Sequence, residues 1–369
     1  MTEWIECTLD KLGEIVGGAT PSTKCEDYYG GSIPWITPKD LSSFKGRYIT
    51  SGERNITEKG LASCSAQIMP KDAVLFTSRA PIGYVAIASQ SVCTNQGFKS
   101  IVVNEKADPL FVYYLLKYNK DAIEAMGSGT TFKEVSGKTM RAVKVRIPLD
   151  VSYQKRIAAV LDSLDTKIEN NERINDNLQQ QAQAIYSSMF IDNPDPAWSH
   201  GHLSDLITVK YGKDHKKLAD GIYPVYGSGG IMRYVERPLY NKESVLIPRK
   251  GTLNNVMYVN QPFWSVDTMF YTEMKLPNVA KFVYHFVKAK DLASMNAGSA
   301  VPSMTTDILN AMEVVIPSAS ALEEFESLVA PMYEAMEAND VQSKALSQIR
   351  DTLLPKLMSG EIDVSDVQL

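Results

Sequence analysis

The stretch KIENNERINDNLQ, Lys167–Gln179, decides how the chain is organised. It contains no Gly or Pro, so it favours a continuous helix, yet its heptad spacing places Asn171 and Asn175 on an otherwise apolar seam. A polar layer in such a seam costs stability, but it fixes the register and the number of paired helices. The stretch therefore predicts a long helix that pairs with one specific partner.

The predicted partner is a second segment of the same chain, in which every seam position recurs 168 residues later. In both segments the positions alternate at spacings of four and three, which is the narrow seam of a coiled coil. The seam comprises Ile157, Leu161, Leu164, Ile168, Asn171, Asn175, Leu178, Ala182, Ile185 and Met189 in the first segment, and Phe325, Val329, Met332, Met336, Asn339, Ser343, Leu346, Arg350, Leu353 and Leu357 in the second.

The direction of pairing does not follow from the seam alone. In an antiparallel pair Asn171 faces Ser343 and Asn175 faces Asn339, whereas in a parallel pair Asn171 faces Asn339. Because the termini of compact domains are usually neighbours, the block between the helices is expected to return the chain close to where the first helix ends. We therefore predict an antiparallel coiled coil; the alternative is a long surface hairpin with incidental asparagines.

Internal repeats predict that the remainder of the chain forms two similar domains. The segment FVYYLLK, Phe111–Lys117, returns as FVYHFVK, Phe282–Lys288, and both occurrences favour a helix. Asp108 and Asn278 are the candidate N-caps of these helices, and Gly127 and Gly298 are the candidate terminators. The predicted organisation is a first globular domain at residues 1–149, a long helix at 150–192, a second domain at 193–317, a second long helix at 318–360 and an acidic tail at 361–369.

The globular blocks combine apolar strand patterns with dense Gly- and Pro-containing turns, which favours an α/β or α+β class. The two domains are expected to be related by a pseudo-two-fold axis.

Charge differs between the blocks: residues 1–149 have 18 Lys and Arg against 15 Asp and Glu, whereas residues 318–369 have 3 against 10. Four widely spaced cysteines without a Cys-x-x-Cys pair argue against a zinc site and fit a reducing cytoplasm. No apolar run is long enough for a membrane span.

The chain resembles the specificity subunits of type I restriction–modification systems. The resemblance is carried by motifs that occur in the family's order along nearly the whole chain. The first half contains GGATPSTK, IPWITPKDL, VLFTSRAPIGYVAIA, CTNQGFKSI and GSGTTF, and the second half contains YPVYGSGGI, IPRKGTLNNVMY, PFWSVDTMFY, NAGSAVPSMT and RDTLLPKLMSGEI. One departure concerns the family's Pro-x-x-x-Gln-x-x-Ile pattern at the start of the helical seam: the first copy has Pro148 and Gln154, whereas the segment SASALEEFESL directly after Pro317 contains no Gln.

The resemblance implies a function for each part. Two target-recognition domains each read one half of a split double-stranded DNA target, and the helices space them and hold methyltransferase subunits, expected to number two. Restriction and translocase subunits complete the complex. The chain itself is expected to be non-catalytic, to bind no metal and to lie in the cytoplasm away from membranes, while S-adenosylmethionine, ATP and Mg belong to the partner subunits.

Duplex recognition needs cations for phosphates and planar donors for base edges. Arg79 and Arg249 each follow an apolar strand and precede a Gly-containing turn, although a structural arginine is an open alternative for Arg79, as a solvated loop is for Lys213–Lys217. Gly129, Thr130 and Thr131 could offer backbone amides to a phosphate, and a simple turn after a helix is the open alternative. The candidate DNA-binding residues are Lys24, Lys39, Arg79, Lys99, Thr130, Lys133, Lys138, Lys210, Lys213, Lys216, Lys217, Arg233, Arg249 and Lys250.

Two other function classes stay open at this stage: a coiled-coil scaffold that does not bind DNA, and a free-standing DNA-modifying enzyme. The enzyme class lacks support in the motifs. Ser136–Thr139 reads SGKT, but the first glycine of a phosphate-binding loop would fall at Phe132. His200 and His202 have no third metal ligand nearby in the sequence.

Overall fold

The computed structural model describes residues 3–129, 133–295 and 303–367. The chain forms two compact units, one made of Met1–Arg173 with Asp340–Leu369 and the other of Ile174–Asn339. Each unit therefore contains one globular block together with a part of each long helix. The first long helix is Val151–Ser187, extended by a π-helical turn at Ser188–Asp192, and the second is Ala319–Ser359.

In the first unit, the chain enters and leaves the globular block through a two-stranded antiparallel ribbon of Trp4–Thr8 and Lys144–Pro148. A mixed sheet and a smaller three-stranded sheet lie between the two strands of the ribbon in sequence. In spatial order these sheets are Gly13–Gly17, Lys99–Val103, Val74–Ser78, Ile82–Ala88 and Tyr48–Ile49, and then Arg54–Ile56, Tyr29–Ile36 and Cys93–Thr94. The helices of this block are Pro38–Ser42, Glu58–Ala62, Pro109–Tyr118, Lys120–Ala125 and Gly137–Ala142.

The second unit repeats this plan with fewer residues. Its ribbon pairs Ser199–His202 with Glu313–Ile316. Its sheets, in spatial order, are Ile207–Tyr211, Met269–Met274, Ser244–Pro248 and Met257–Val259, and then Gly230–Val235, Asp220–Gly227 and Trp264–Ser265. Its short helices are Leu203–Leu206, Ala280–Lys288 and Thr306–Asn310. Apart from the additional strand Tyr48–Ile49 in the first unit, the strand order is the same in both units, which confirms the two similar mixed α/β domains that the repeats predict.

The seam residues of the long helices are buried or half-buried in both units. Ile157 and Leu161 belong to the core of the first unit with Leu357, and Phe325 and Val329 belong to the core of the second. The seam does not contain every anchor of these helices. Tyr186 and Phe190, outside the predicted positions, are also buried and form part of an aromatic cluster.

The polar layer shows that the helices run antiparallel. In the first unit, Asn171 Nδ2 donates to Ser343 Oγ at 3.1 Å and to Gln342 Oε1 at 2.9 Å. In the second unit, Asn339 Nδ2 donates to Asn175 Oδ1 at 2.8 Å. These are the pairings predicted for the antiparallel arrangement, so that prediction is confirmed.

The two repeated helices begin differently. Asp108 caps Pro109–Tyr118 as predicted, because its side chain accepts from Phe111 N. The prediction for the second repeat is wrong: Val279 occupies the N-cap position of Ala280–Lys288 without a side-chain hydrogen bond, and Asn278 adopts a left-handed backbone conformation with φ 57°. Asn278 thus turns the chain before the helix instead of capping it. Gly127 follows an additional short helix that ends at Ala125, and Gly298 lies outside the described residues.

The acidic C-terminal segment is attached to the first unit. Val364 is buried, and Ile362 and Val367 pack against the same core. Tyr153 Oη donates to Asp363 Oδ1 at 2.9 Å and accepts from Val364 N at 3.2 Å. Residues 361–367 therefore close one end of this core, which their charge did not indicate.

Candidate nucleic-acid interface

Both units place an arginine directly after a buried strand of the larger sheet. Arg79 follows Val74–Ser78 and Arg249 follows Ser244–Pro248. A later segment is hydrogen-bonded to the chain at each place: Val135 N donates to Ser78 O at 3.0 Å, and Met304 N donates to Arg249 O at 2.9 Å. The repeated fold thus positions one guanidinium at the end of the corresponding strand in each larger sheet.

In the first unit a single carboxylate forms ion pairs with two of the candidate cations. Glu134 lies 3.6 Å from Arg79 Nη1 and 3.5 Å from Lys99 Nζ. Its backbone is held by paired hydrogen bonds with Ser128, beside the GSGTTF segment. Arg79 and Lys99 therefore converge on one half-exposed anionic group. Thr130 in this segment lies outside the described residues.

In the second unit the corresponding arginine has different neighbours. The guanidinium of Arg249 lies 5.4 Å from the ring centroid of Tyr211, and Nη1 donates to Asp267 O at 3.2 Å. Arg233 Nη2 donates to Asp220 Oδ1 at 2.8 Å and to Leu218 O at 2.9 Å. Arg233 is therefore held in place by its own strand pair, whereas Arg249 is held by an aromatic face and a carbonyl.

The remaining candidate cations lie at the surface. Lys39 pairs with Glu53 at 2.7 Å, and Lys210 pairs with Glu273 at 3.6 Å. The loop containing Lys216 is shaped by Asp214, which accepts from Lys216 N at 3.0 Å; this backbone hydrogen bond lowers the pKa of the Asp214 carboxyl. The other exposed lysines are Lys24, Lys133, Lys138, Lys213, Lys216, Lys217 and Lys250.

The repeated helices carry polar side chains that contact the long helices, and these contacts were not anticipated from the sequence. Tyr114 in the first repeat donates to Asp165 Oδ2 at 2.8 Å, and Asp165 Oδ1 accepts from Arg350 Nη1 at 2.6 Å. The aligned residue of the second repeat is His285. The alignment of FVYYLLK with FVYHFVK was the available signal, because it places a polar group at the same buried position twice.

In the second unit, His285 is neutral and forms hydrogen bonds with both long helices. Its Nδ1 lies 2.7 Å from Gln183 Oε1, and its Nε2 lies 2.9 Å from Tyr333 Oη. Burial lowers the pKa of His285 to about 4, so the imidazole is uncharged at neutral pH. With the proton on Nδ1, the ring donates to Gln183 and accepts from Tyr333, which satisfies both nitrogens.

Comparison with known proteins assigns this architecture to a family. The model of the type I restriction modification DNA specificity domain matches the chain twice, at residues 1–180 and 197–325. The chain belongs to this family. A relative is the type I restriction enzyme MjaIX specificity subunit of Methanocaldococcus jannaschii, which is 32% identical over 411 residues that cover 99% of this chain and 95% of the relative.

More distant specificity-domain proteins agree with this assignment. The EcoprrI specificity subunit of Escherichia coli is 23% identical over 364 residues, covering 90% of this chain and 89% of that protein. The crystal structure of the type I restriction–modification S subunit from M. genitalium superposes with a TM-score of 0.63 at 19% identity, covering 96% of each chain. At this identity the superposition shows that the fold is shared.

One motif of the specificity-domain family has a structural role in this chain. The buried side chain of Gln154 accepts from Asp108 N at 2.9 Å and donates to Pro148 O at 2.9 Å and Lys106 O at 3.1 Å. It therefore ties the start of the first long helix to its own globular block. The seam spacing places Leu322 at this position in the second copy, where it is buried in an apolar core. The missing Gln is thus replaced by apolar packing.

Residues 3–129, 133–295 and 303–367 of this specificity-domain protein contain neither a candidate metal site nor a candidate membrane-spanning helix. Within those ranges no group of three His, Cys, Asp or Glu side chains could hold a metal ion. None of the helices described there has the length and apolar character needed to cross a membrane.

Proposed function

We propose that this chain is the DNA-reading subunit of a type I restriction–modification complex, and that residues 1–149 and 193–317 each bind one half of a split double-stranded target. The observation that carries the proposal is the double occurrence of the DNA specificity domain at residues 1–180 and 197–325. Two domains built on one plan but with different loop residues are suited to two different half-sites.

Electrostatics and geometry support this assignment of roles. The exposed lysines are suited to phosphate contacts, which position a protein on DNA without reading its sequence. Arg79 and Arg249 present planar guanidinium groups at matching strand ends, and such groups form paired hydrogen bonds with guanine in the major groove. We assign the base-reading role to these arginines and the phosphate-binding role to the lysines.

In this proposal the chemistry belongs to partner subunits. Two methyltransferase subunits bind the long helices and use S-adenosylmethionine, and restriction subunits use ATP and Mg. The chain supplies no catalytic group, which agrees with a sequence that contains no glycine-rich cofactor loop after a first strand. The long helices set the separation of the half-sites, and the complex acts in the cytoplasm, where its DNA lies.

A mobility-shift and methyl-transfer assay tests the proposal. The full chain is mixed with genomic duplex fragments and labelled S-adenosylmethionine, with and without its methyltransferase subunits. Sequence-specific binding and methyl transfer are expected only when the subunits are combined. A scaffold protein would leave binding by the methyltransferase subunits unchanged, and a free-standing enzyme would transfer methyl groups without them.

The cation assignment predicts two kinds of defect. Arg79→Ala and Arg249→Ala are each expected to weaken specific binding by roughly 1–3 kcal/mol, because a base contact is lost. Lys216→Ala is expected to reduce the slope of log K against log salt by about one, with little change in sequence preference. Fluorescence titrations with specific and non-specific duplexes at several salt concentrations measure both quantities.

Glu134→Gln is a control for this prediction that is not expected to weaken DNA binding. It removes the carboxylate that pairs with Arg79 and Lys99, so DNA binding is expected to be equal or stronger. An Arg79→Ala protein with a lowered melting temperature but normal affinity per folded molecule would instead assign Arg79 a structural role.

A further inference from the structure

Arg47 is a buried cation on a loop between the helix Pro38–Ser42 and the strand Tyr48–Ile49. Its side chain is only 6% exposed, although arginine is among the residue types most often found at the surface. The guanidinium faces the first long helix. Burial of a charge is costly unless hydrogen bonds and opposite charges replace its lost hydration. Arg47 therefore requires such groups around its guanidinium.

The partners of Arg47 span two turns of the long helix. Nη1 donates to the Asp162 carbonyl at 2.9 Å and to Asp162 Oδ1 at 2.7 Å. Nη2 donates to Thr166 Oγ1 at 2.9 Å and to Glu169 Oε2 at 3.0 Å. The backbone N of Arg47 donates to Glu169 Oε1 at 3.2 Å. Five hydrogen bonds thus join one residue of the globular block to three residues of the helix.

The other side of Arg47 is attached to the main sheet. Its carbonyl accepts from Ile87 N at 2.7 Å, and Ile87 lies in the strand Ile82–Ala88. Lys45 adds a weaker, exposed ion pair with Glu172 at 3.8 Å. Arg47 therefore forms a direct link between the sheet that carries Arg79 and the helix that would set the half-site separation.

The second unit contains a comparable link built from different residues. The side chain of Lys281 is 6% exposed, and its Nζ donates to Glu326 Oε1 on the second long helix at 2.6 Å. It also donates to Glu243 Oε1 at 3.1 Å, next to the strand Ser244–Pro248. The rings of Tyr258 and Tyr333 lie 5.1 and 5.5 Å from this ammonium group. Each unit thus joins its sheet to a long helix through one buried cation.

Apolar packing alone could attach a domain to a helix at least as strongly, because desolvation offsets most of the energy of a buried ion pair. What a forked guanidinium adds is direction, since its hydrogen bonds require a defined angle between the two elements. We propose that Arg47, with Lys281 in the second domain, is a positioning residue that fixes the angle of a target-recognition domain on its helix and so determines how strictly half-site separation is enforced.

This inference rests on the proposed function and adds a cause of spacing selectivity other than helix length. One extra base pair moves the second half-site by about 3.4 Å and rotates it by about 35° around the duplex. A domain held by five hydrogen bonds cannot follow that rotation, whereas a domain free to tilt can follow part of it. Loss of the link is therefore expected to relax spacing selectivity while leaving the half-site sequences unchanged.

The experiment uses the complete complex with its methyltransferase subunits and first identifies the wild-type motif by methylome sequencing. Affinity is then measured on duplexes with the natural spacer and with spacers one pair shorter and longer. Arg47→Met is expected to reduce the preference for the natural spacer about tenfold relative to wild type. Arg47→Lys is expected to restore part of that preference, because it keeps the charge but loses the fork.

Lys59→Ala is the matched control, because Lys59 forms an exposed ion pair with Asp27 in the same domain and is not a candidate DNA-binding residue. It is expected to keep the wild-type ratio between spacers. If Arg47→Met does not fold, Asp162→Asn combined with Glu169→Gln removes the acceptor charges on the helix and is expected to relax the same ratio. Lys281→Met tests the second domain in the same way.

Two results would overturn the inference. One is a folded Arg47→Met complex that binds the natural duplex with the full wild-type spacer preference. The other is an equal loss of affinity on all three spacers together with a lower melting temperature, which would assign Arg47 a purely structural role. Failure of the proposed function is distinct from both, since the wild-type complex would then bind none of the duplexes.

Discussion

Exchange of residues 198–317 for the corresponding block of another specificity-domain protein is expected to change one half of the methylated motif and to leave the other half unchanged. The block begins and ends in one antiparallel ribbon, where Ser199 is paired with Ile316. The exchange therefore joins the chain at two adjacent points and leaves both long helices intact. Each mismatched base pair costs about 1–3 kcal/mol, so a change of half-site is readily detected by methylome sequencing.

The reciprocal exchange of residues 1–149 is the control, and it is expected to change the other half of the motif. That block is also closed by a ribbon, with Trp4 paired with Pro148. In the exchange of residues 198–317, the donor block needs apolar residues that face Tyr186 and Phe325, because these two side chains of the long helices pack against the second block. A change in both halves after a single exchange would contradict independent reading by the two domains.

Arg350→Ala is expected to lower the free energy of unfolding by about 3 kcal/mol, because it leaves a buried carboxylate without its cationic partner. The side chain of Asp165 is only 7% exposed, and Arg350 Nη1 lies 2.6 Å from Asp165 Oδ1. The Tyr114 hydroxyl remains as a donor but does not balance the charge. Urea unfolding of the purified protein, followed by circular dichroism, measures the loss.

Lys356→Ala is the control on the same helix, since Lys356 pairs with Glu361 at the surface. An exposed pair contributes at most about 1 kcal/mol, so this variant is expected to remain close to wild type. Replacement of both Asp165 and Arg350 by Leu is expected to recover much of the stability, because no unpaired charge is then buried. Equal losses in Arg350→Ala and Lys356→Ala would show that the Asp165 pair is not a stabilising element.

The pairing of the long helices could be predicted because helical side chains repeat with a fixed period. A seam read from the spacing of Ile157, Leu161 and their equivalents places Asn171 opposite Ser343, and the structure shows this contact. The direction of pairing followed from chain connectivity, and the two ribbons at the domain ends supply its physical basis. Periodicity and connectivity are properties of the chain itself, so the amino-acid sequence by itself determined this part of the architecture.

The partners of the charged residues were decided only by the tertiary structure. Arg47 and Asp162 are separated by more than a hundred positions, and no local pattern connects them. The sequence likewise did not indicate that one carboxylate, Glu134, faces both Arg79 and Lys99. Ion pairs form between groups that the packed backbone brings within a few ångströms, and loop conformation determines that proximity. Side-chain type and periodicity therefore determine which faces are buried, whereas tertiary packing determines which charges meet.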